Sequence, residues 1–161
     1  MKNINLYPVL LHTLTAENQA FKDFIHILER ESTILQGTYT HEEIHQIAQQ
    51  KTAWHQQYSQ LQNKRRKVLQ ALELQDSVDA LQELANNDPE FKTQLEALLE
   101  HAAQAQALNT TNGKLINEYL GHHQQALNAL QSLDPKQAAH TYDASGKRSK
   151  GSAGLHTQVR A

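Results

Sequence analysis

The chain has no cysteine, so neither a disulfide framework nor a thiolate metal site can hold it together, and its fold must come from packing alone. Aromatic residues make up only 6%, with a single tryptophan, which favours an elongated bundle with a thin core over a compact globule of 161 residues. No apolar run approaches the roughly 20 residues that cross a bilayer. The N-terminus Met1-Lys-Asn-Ile-Asn5 has no apolar stretch leading to a small-residue cleavage site. The expectation is a cytoplasmic protein without stable membrane insertion. There is no Gly-rich phosphate loop, no nucleophile beside a plausible base and no carboxylate pair in an evident pocket. The net charge of -2 singles out no polyanionic partner. These absences imply no enzyme, no cofactor, no small-molecule substrate and no nucleic acid; any work must come from binding.

What is present is helical periodicity. From about Pro8 to Gln36, Tyr7, Leu14, Phe21, Leu28 and Leu35 recur every seven residues, with Leu10, Phe24 and Ile25 between them, and Gly37 ends the run. Thr40-His-Glu-Glu43 is a capping box that opens a second helix, since the threonine hydroxyl and the Glu43 carboxylate can each satisfy an orphaned backbone donor. Its seam, Ile44, Ile47, Lys51, Trp54, Tyr58, Leu61, Arg65, Val68 and Leu72, is interrupted by two charges. The expectation is that their long stems cover the seam while their heads stay in water. A short helix from about Ser77 to Leu84 follows. Asp88 as N-cap and Pro89 in the first turn then start a helix of about 45 residues, which should stop near Leu133 because Asp134 precedes a proline.

That last helix carries the least expected residues. Its seam runs Phe91, Leu95, Leu98, Ala102, Ala105, Asn109, Asn112, Ile116, Tyr119, His123, Ala126, Leu130 and Leu133, so both asparagines should point inward, next to Gly113. A buried amide needs partners, and glycine inside a helix costs roughly 1 kcal/mol against alanine, so stability alone does not select this trio. Over its last half, Leu108, Leu115, Ile116, Tyr119, Leu120, Leu127, Leu130 and Leu133 spread over roughly 140° of the helix surface, wider than a two-position seam needs. Part of that arc can be core, and part can receive an amphipathic helix from another protein.

Two further motifs invite chemistry. His41-Glu-Glu-Ile-His45 matches the H-E-x-x-H zinc-protease pattern, but it lies in the first turn of a helix and its Glu43 is already a capping residue, so surface histidines with at most adventitious metal are expected. Lys64-Arg-Arg-Lys67 points four ways round a helix without neighbouring stacking aromatics, which reads as a solvated face.

Leu108-Asn-Thr-Thr-Asn-Gly-Lys-Leu-Ile116, then His123-Gln-Gln-Ala-Leu127, then Thr141-Tyr-Asp-Ala-Ser-Gly146 occur in the order and spacing of the C-terminal half of the FlgN family of flagellar type III export chaperones, and the chain resembles that family. Ile47-Ala-Gln-Gln-Lys51 and Leu61-Gln-Asn-Lys-Arg-Arg66 fall where the family has a glutamine-rich and then basic second helix. The resemblance implies a non-catalytic chaperone. Its clients would be the hook-associated proteins FlgK and FlgL, held by their C-terminal helical segments, and its other partners the export gate protein FlhA and the export component FliJ. Asn109, Asn112, Leu115, Ile116, Tyr119, Leu120, Leu127 and Leu130 would form the client-binding face, and Tyr142 would dock on the gate. A structural coiled-coil adaptor without a secreted client is the alternative. The expected fold is all-α: an elongated, coiled-coil-like antiparallel bundle of three long helices and one short one over residues 1–134. Residues 135–161, with three glycines, several serines and Lys147-Arg148-x-Lys150, have the composition of a disordered tail.

Overall fold

A computed structural model describes residues 5–133, 140–142 and 148–150. The helices are α1 (Tyr7–Gln36), α2 (His41–Ala71), α3 (Val78–Ala85) and α4 (Pro89–Leu133), so the all-α expectation holds with boundaries within a residue or two. Two compact units divide the chain, Met1–Ile116 and Asn117–Ala161, and α4 contributes to both.

Local chemistry sets the helix ends. Thr40 accepts from the Glu43 amide at 3.2 Å while the Glu43 carboxylate accepts from the Thr40 amide at 2.8 Å, and this backbone contact first of all holds the Glu43 carboxyl below its usual range. Asp88 Oδ1 accepts from the amides of Glu90 at 2.8 Å and Phe91 at 3.1 Å, so α4 begins where the sequence placed it. Tyr7 donates its hydroxyl to the other Asp88 oxygen at 2.8 Å and stacks on Phe91, which fastens the start of α1 to the start of α4. Burial and then the Asp88 contact push the Tyr7 phenol up to about 12. Helix α2 closes through Glu73 at φ 59°, a left-handed conformation that a side chain disfavours.

In the first unit, contacts fix the helix directions. Trp54 of α2 donates its indole N–H to the Ala20 carbonyl at 2.6 Å and Arg65 pairs with Glu17, so α2 runs antiparallel to α1. Asn18 meets Gln94 and His101, whereas Leu28 meets Asn112, so α4 runs parallel to α1. The core has two parts. One gathers Leu10 and Leu14, Val68 and Leu69, Leu81 and Ala85, and Phe91, Leu95 and Leu98, uniting all four helices. The other packs Phe24, Ile25 and Leu28 against Trp54 and Ala105, with the Trp54 ring stacked 3.8 Å from Phe24 and 4.9 Å from Tyr58.

The expectation that Lys51 and Arg65 keep their heads in water is wrong. Arg65 is ion-paired to Glu17, whose side chain is fully buried, and donates from Nε to Asp76 Oδ1 at 3.0 Å. Burial raises the Glu17 pKa although Arg65 opposes it; burial equally disfavours the Arg65 charge, but Glu17 and Asp76 outweigh it and hold the guanidinium charged.

In the second unit, β1 (His140–Tyr142) pairs antiparallel with β2 (Arg148–Lys150), with Tyr142 opposite Arg148. Only these six residues of the expected tail are described. Threonine and tyrosine favour extended backbone. The rest of the tail expectation lies outside the described residues.

Candidate functional site

The asparagines of α4 part company. Asn112 is 1% exposed, and its Nδ2 donates to the Leu28 carbonyl at 2.8 Å and to Glu31 Oε2 at 2.9 Å, while its Oδ1 has no partner. Asn109 is exposed instead, at the edge of the seam, and accepts from Lys51 Nζ at 3.0 Å. Lys51 also donates to both oxygens of the buried Glu31 at 3.1 Å. One carboxylate thus links three helices, and the expectation of two inward asparagines holds for Asn112 alone. The helix is continuous through Gly113, where an added Cβ would meet nothing within 4 Å, so packing does not demand glycine there.

Glu17 and Glu31 are the residues that reading the sequence missed. A signal was available: they continue the α1 seam of Leu10, Leu14, Phe21, Phe24 and Leu28, and their spacing of fourteen positions matches that of Lys51 and Arg65 on α2.

Leu115 and Ile116 are half-buried and end the first unit. From Asn117 to Leu133 every residue of α4 is exposed. Leu120 (57%), Leu127 (52%) and Leu130 (64%) stand in water, and Tyr119 meets the His123 ring edge-on at 4.2 Å. At 100° per residue, Tyr119, Leu120, Leu127 and Leu130 fall within about 100° of one another, so they make one face. Isolated exposed leucines are ordinary; here they share one helix face with Tyr119. Tyr142 has its backbone in β1; its side chain lies outside what the structure describes.

The histidine motif and the basic cluster of α2 can both be placed. His41 and His45 are exposed, His45 faces the Gln49 amide at 3.1 Å, and no group of three or more His, Cys, Asp or Glu among the described residues is placed to hold a metal. Of the basic cluster, Arg65 is committed to Glu17, whereas Lys64, Arg66 and Lys67 are exposed. No helix among the described residues is long and apolar enough to cross a membrane.

By class, this is an all-α bundle whose internal charges are spent on its own helices and whose longest helix presents an apolar face. The chain belongs to the FlgN family of flagellar export chaperones: the family model described as FlgN protein matches residues 1–150. No curated protein and no solved structure matches it.

Proposed function

We propose that this chaperone binds the C-terminal helical segment of hook-filament junction proteins of the FlgK and FlgL kind in the cytoplasm and delivers them to the export gate protein FlhA, with FliJ as a further contact. The observation that carries the client reading is the exposed row Tyr119, Leu120, Leu127 and Leu130 on one face of α4. An amphipathic client helix would lay its own apolar stripe there, and while covered it could not join a growing filament. Ordering a client segment on binding costs free energy, which keeps affinity moderate and permits release without an energy source.

The contact is placed on those four residues. Leu115 and Ile116 have less surface to offer, Asn109 stands at the seam edge, and Asn112 is a bundle contact because its side chain is buried on α1. The resemblance assigns gate docking to Tyr142, where a large ring with few rotatable bonds suits a weak, reversible anchor. The test is calorimetric titration with peptides from the C-termini of both clients and with the cytosolic domain of the gate protein. Tyr142→Ala should keep client affinity within a few-fold of the parent and weaken gate binding. Equal gate binding by parent and variant would remove the role of Tyr142, and no binding of either peptide would remove the client reading.

A further inference from the structure

We infer that Glu17, Glu31, Lys51 and Arg65, with Asn112, form a register code that singles out one alignment of the helices among heptad-shifted alternatives. The inference is independent of the client reading. Seams of α1 and α2 repeat every seven residues, so sliding α2 by one heptad along α1 returns apolar residues opposite apolar residues and leaves the hydrophobic pattern nearly degenerate. The charges remove that degeneracy.

In the observed alignment Glu17 meets Arg65 and Glu31 meets Lys51. Slipped by one heptad in either direction, Glu17 would face Tyr58 or Leu72, Glu31 would face Ile44 or Tyr58, and Arg65 would face Leu10 or Phe24. Both carboxylates would then be buried among apolar or aromatic side chains without their cations, which a fold does not tolerate. Slipping by two heptads restores one pair, either Glu31 with Arg65 or Glu17 with Lys51, and strands the other charges. Only the observed alignment satisfies all four.

Asn112 extends the code to α4. Its two donated hydrogen bonds go to Glu31 and to the Leu28 carbonyl, so a shift of α4 along α1 would leave a buried amide unpaired. Its orphan Oδ1, and the orphan Oε2 of Glu17, are what a device chosen for selectivity rather than greatest stability leaves behind. Packing of Trp54 on Phe24 also favours the observed alignment, but through shape, which apolar residues can partly recover by repacking.

The absence of cysteine makes the test clean, because a thiol cross-link can report only the introduced pair. Arg30 and Gln50 touch across α1 and α2 at 3.2 Å and are exposed or half-buried. Arg30→Cys would be combined with Gln50→Cys for the native alignment, and with Glu43→Cys or Gln57→Cys for the one-heptad slips. The cross-linker should be shorter than the ~10 Å that seven helical residues span. In the parent background the native pair should cross-link at least about twenty times faster than either slipped pair. With Glu17, Arg65, Glu31 and Lys51 all replaced by leucine, helical content should persist and the three rates should converge to within about three-fold. A charge-exchanged protein (Glu17→Arg, Arg65→Glu, Glu31→Lys, Lys51→Glu) should keep the native preference. Exclusive native cross-linking in the all-leucine protein would overturn the inference, as would its failure to fold, which would make the pairs sources of stability rather than of choice. Loss of the native preference on charge exchange would overturn it too.

Discussion

Removing Arg65 while leaving Glu17 in place should be among the most damaging single changes in the bundle. Glu17 has no exposed side-chain surface, and one of its oxygens already lacks a partner, so in Arg65→Met the carboxylate would lose its cation in a dry site. Its escape is to take up a proton. An ordinary glutamate has a pKa of about 4.3, so neutralising it at pH 7 costs ~3.7 kcal/mol, which caps the penalty within the 3–5 kcal/mol typical of broken buried pairs. The contact from Arg65 Nε to Asp76 disappears as well. The expected loss is therefore about 3–4 kcal/mol, or roughly 15 °C in melting temperature for a unit of this size. The sign of its pH dependence follows. Burial already raises the Glu17 carboxyl in the parent and loss of Arg65 raises it further, so the extra loss is absent below about pH 4.3 and grows as pH rises; the deficit at pH 5 should shrink to at most about 1 kcal/mol. Urea titrations of parent and variant followed by far-ultraviolet circular dichroism at the two pH values would measure both numbers. A deficit under 1 kcal/mol at pH 7, or one equal at pH 5 and pH 7, would refute the reasoning.

Other changes separate the remaining elements. Asn112→Ala should cost about 1–2 kcal/mol, because two donated hydrogen bonds outweigh relief of one orphan oxygen, whereas Asn109→Ala should stay within about 0.5 kcal/mol; chemical denaturation distinguishes them. Tyr7→Phe should cost about 1–2 kcal/mol near neutral pH. The Tyr7 phenol is raised, so its share of stability is present below pH 10 and lost as pH rises through about 12; the Asp88 carboxyl is lowered, first by the Phe91 amide, so its share is lost as pH falls through its depressed value. Parent and variant should therefore converge at both extremes of a pH series of thermal melts. Glu73→Gly should stabilise by about 0.5–1 kcal/mol, since glycine accepts the positive φ that glutamate resists, and an unchanged or lower midpoint in denaturant would contradict that.

Much of the bundle was legible because it is local. The Thr40–Glu43 box and the Asp88–Pro89 start are written in four or five consecutive residues, and both occur as read. The seams of α1 and α2 told which side chains turn inward, Leu10, Leu14, Phe24, Leu28, Ile47 and Trp54 among them. What escaped is relational. That Lys51 and Arg65 end in carboxylates rather than water depends on α1 lying alongside in one alignment, which no single helix records. Periodicity also could not separate Asn109 from Asn112, since one step of three residues carries the chain from the edge of the seam to its centre. Along α4 the pattern shows which face is apolar but not whether anything covers it; Leu98 and Leu127 look alike in sequence, one buried and one exposed.

The proposed client face is tested most directly by titrating the parent and the double variant Leu120→Asp/Leu127→Asp with a FlgK or FlgL C-terminal peptide. Both leucines are exposed, so the variant should unfold within about 0.5 kcal/mol of the parent. The parent should bind one or both peptides at one peptide per chain, and the variant should bind at least a hundred-fold more weakly, because two charges would be forced against an apolar stripe. Equal binding by parent and variant would contradict the account, and so would a stable dimer of the parent that buries Leu120 and Leu127, since that face would then serve a second copy of the chain rather than a client.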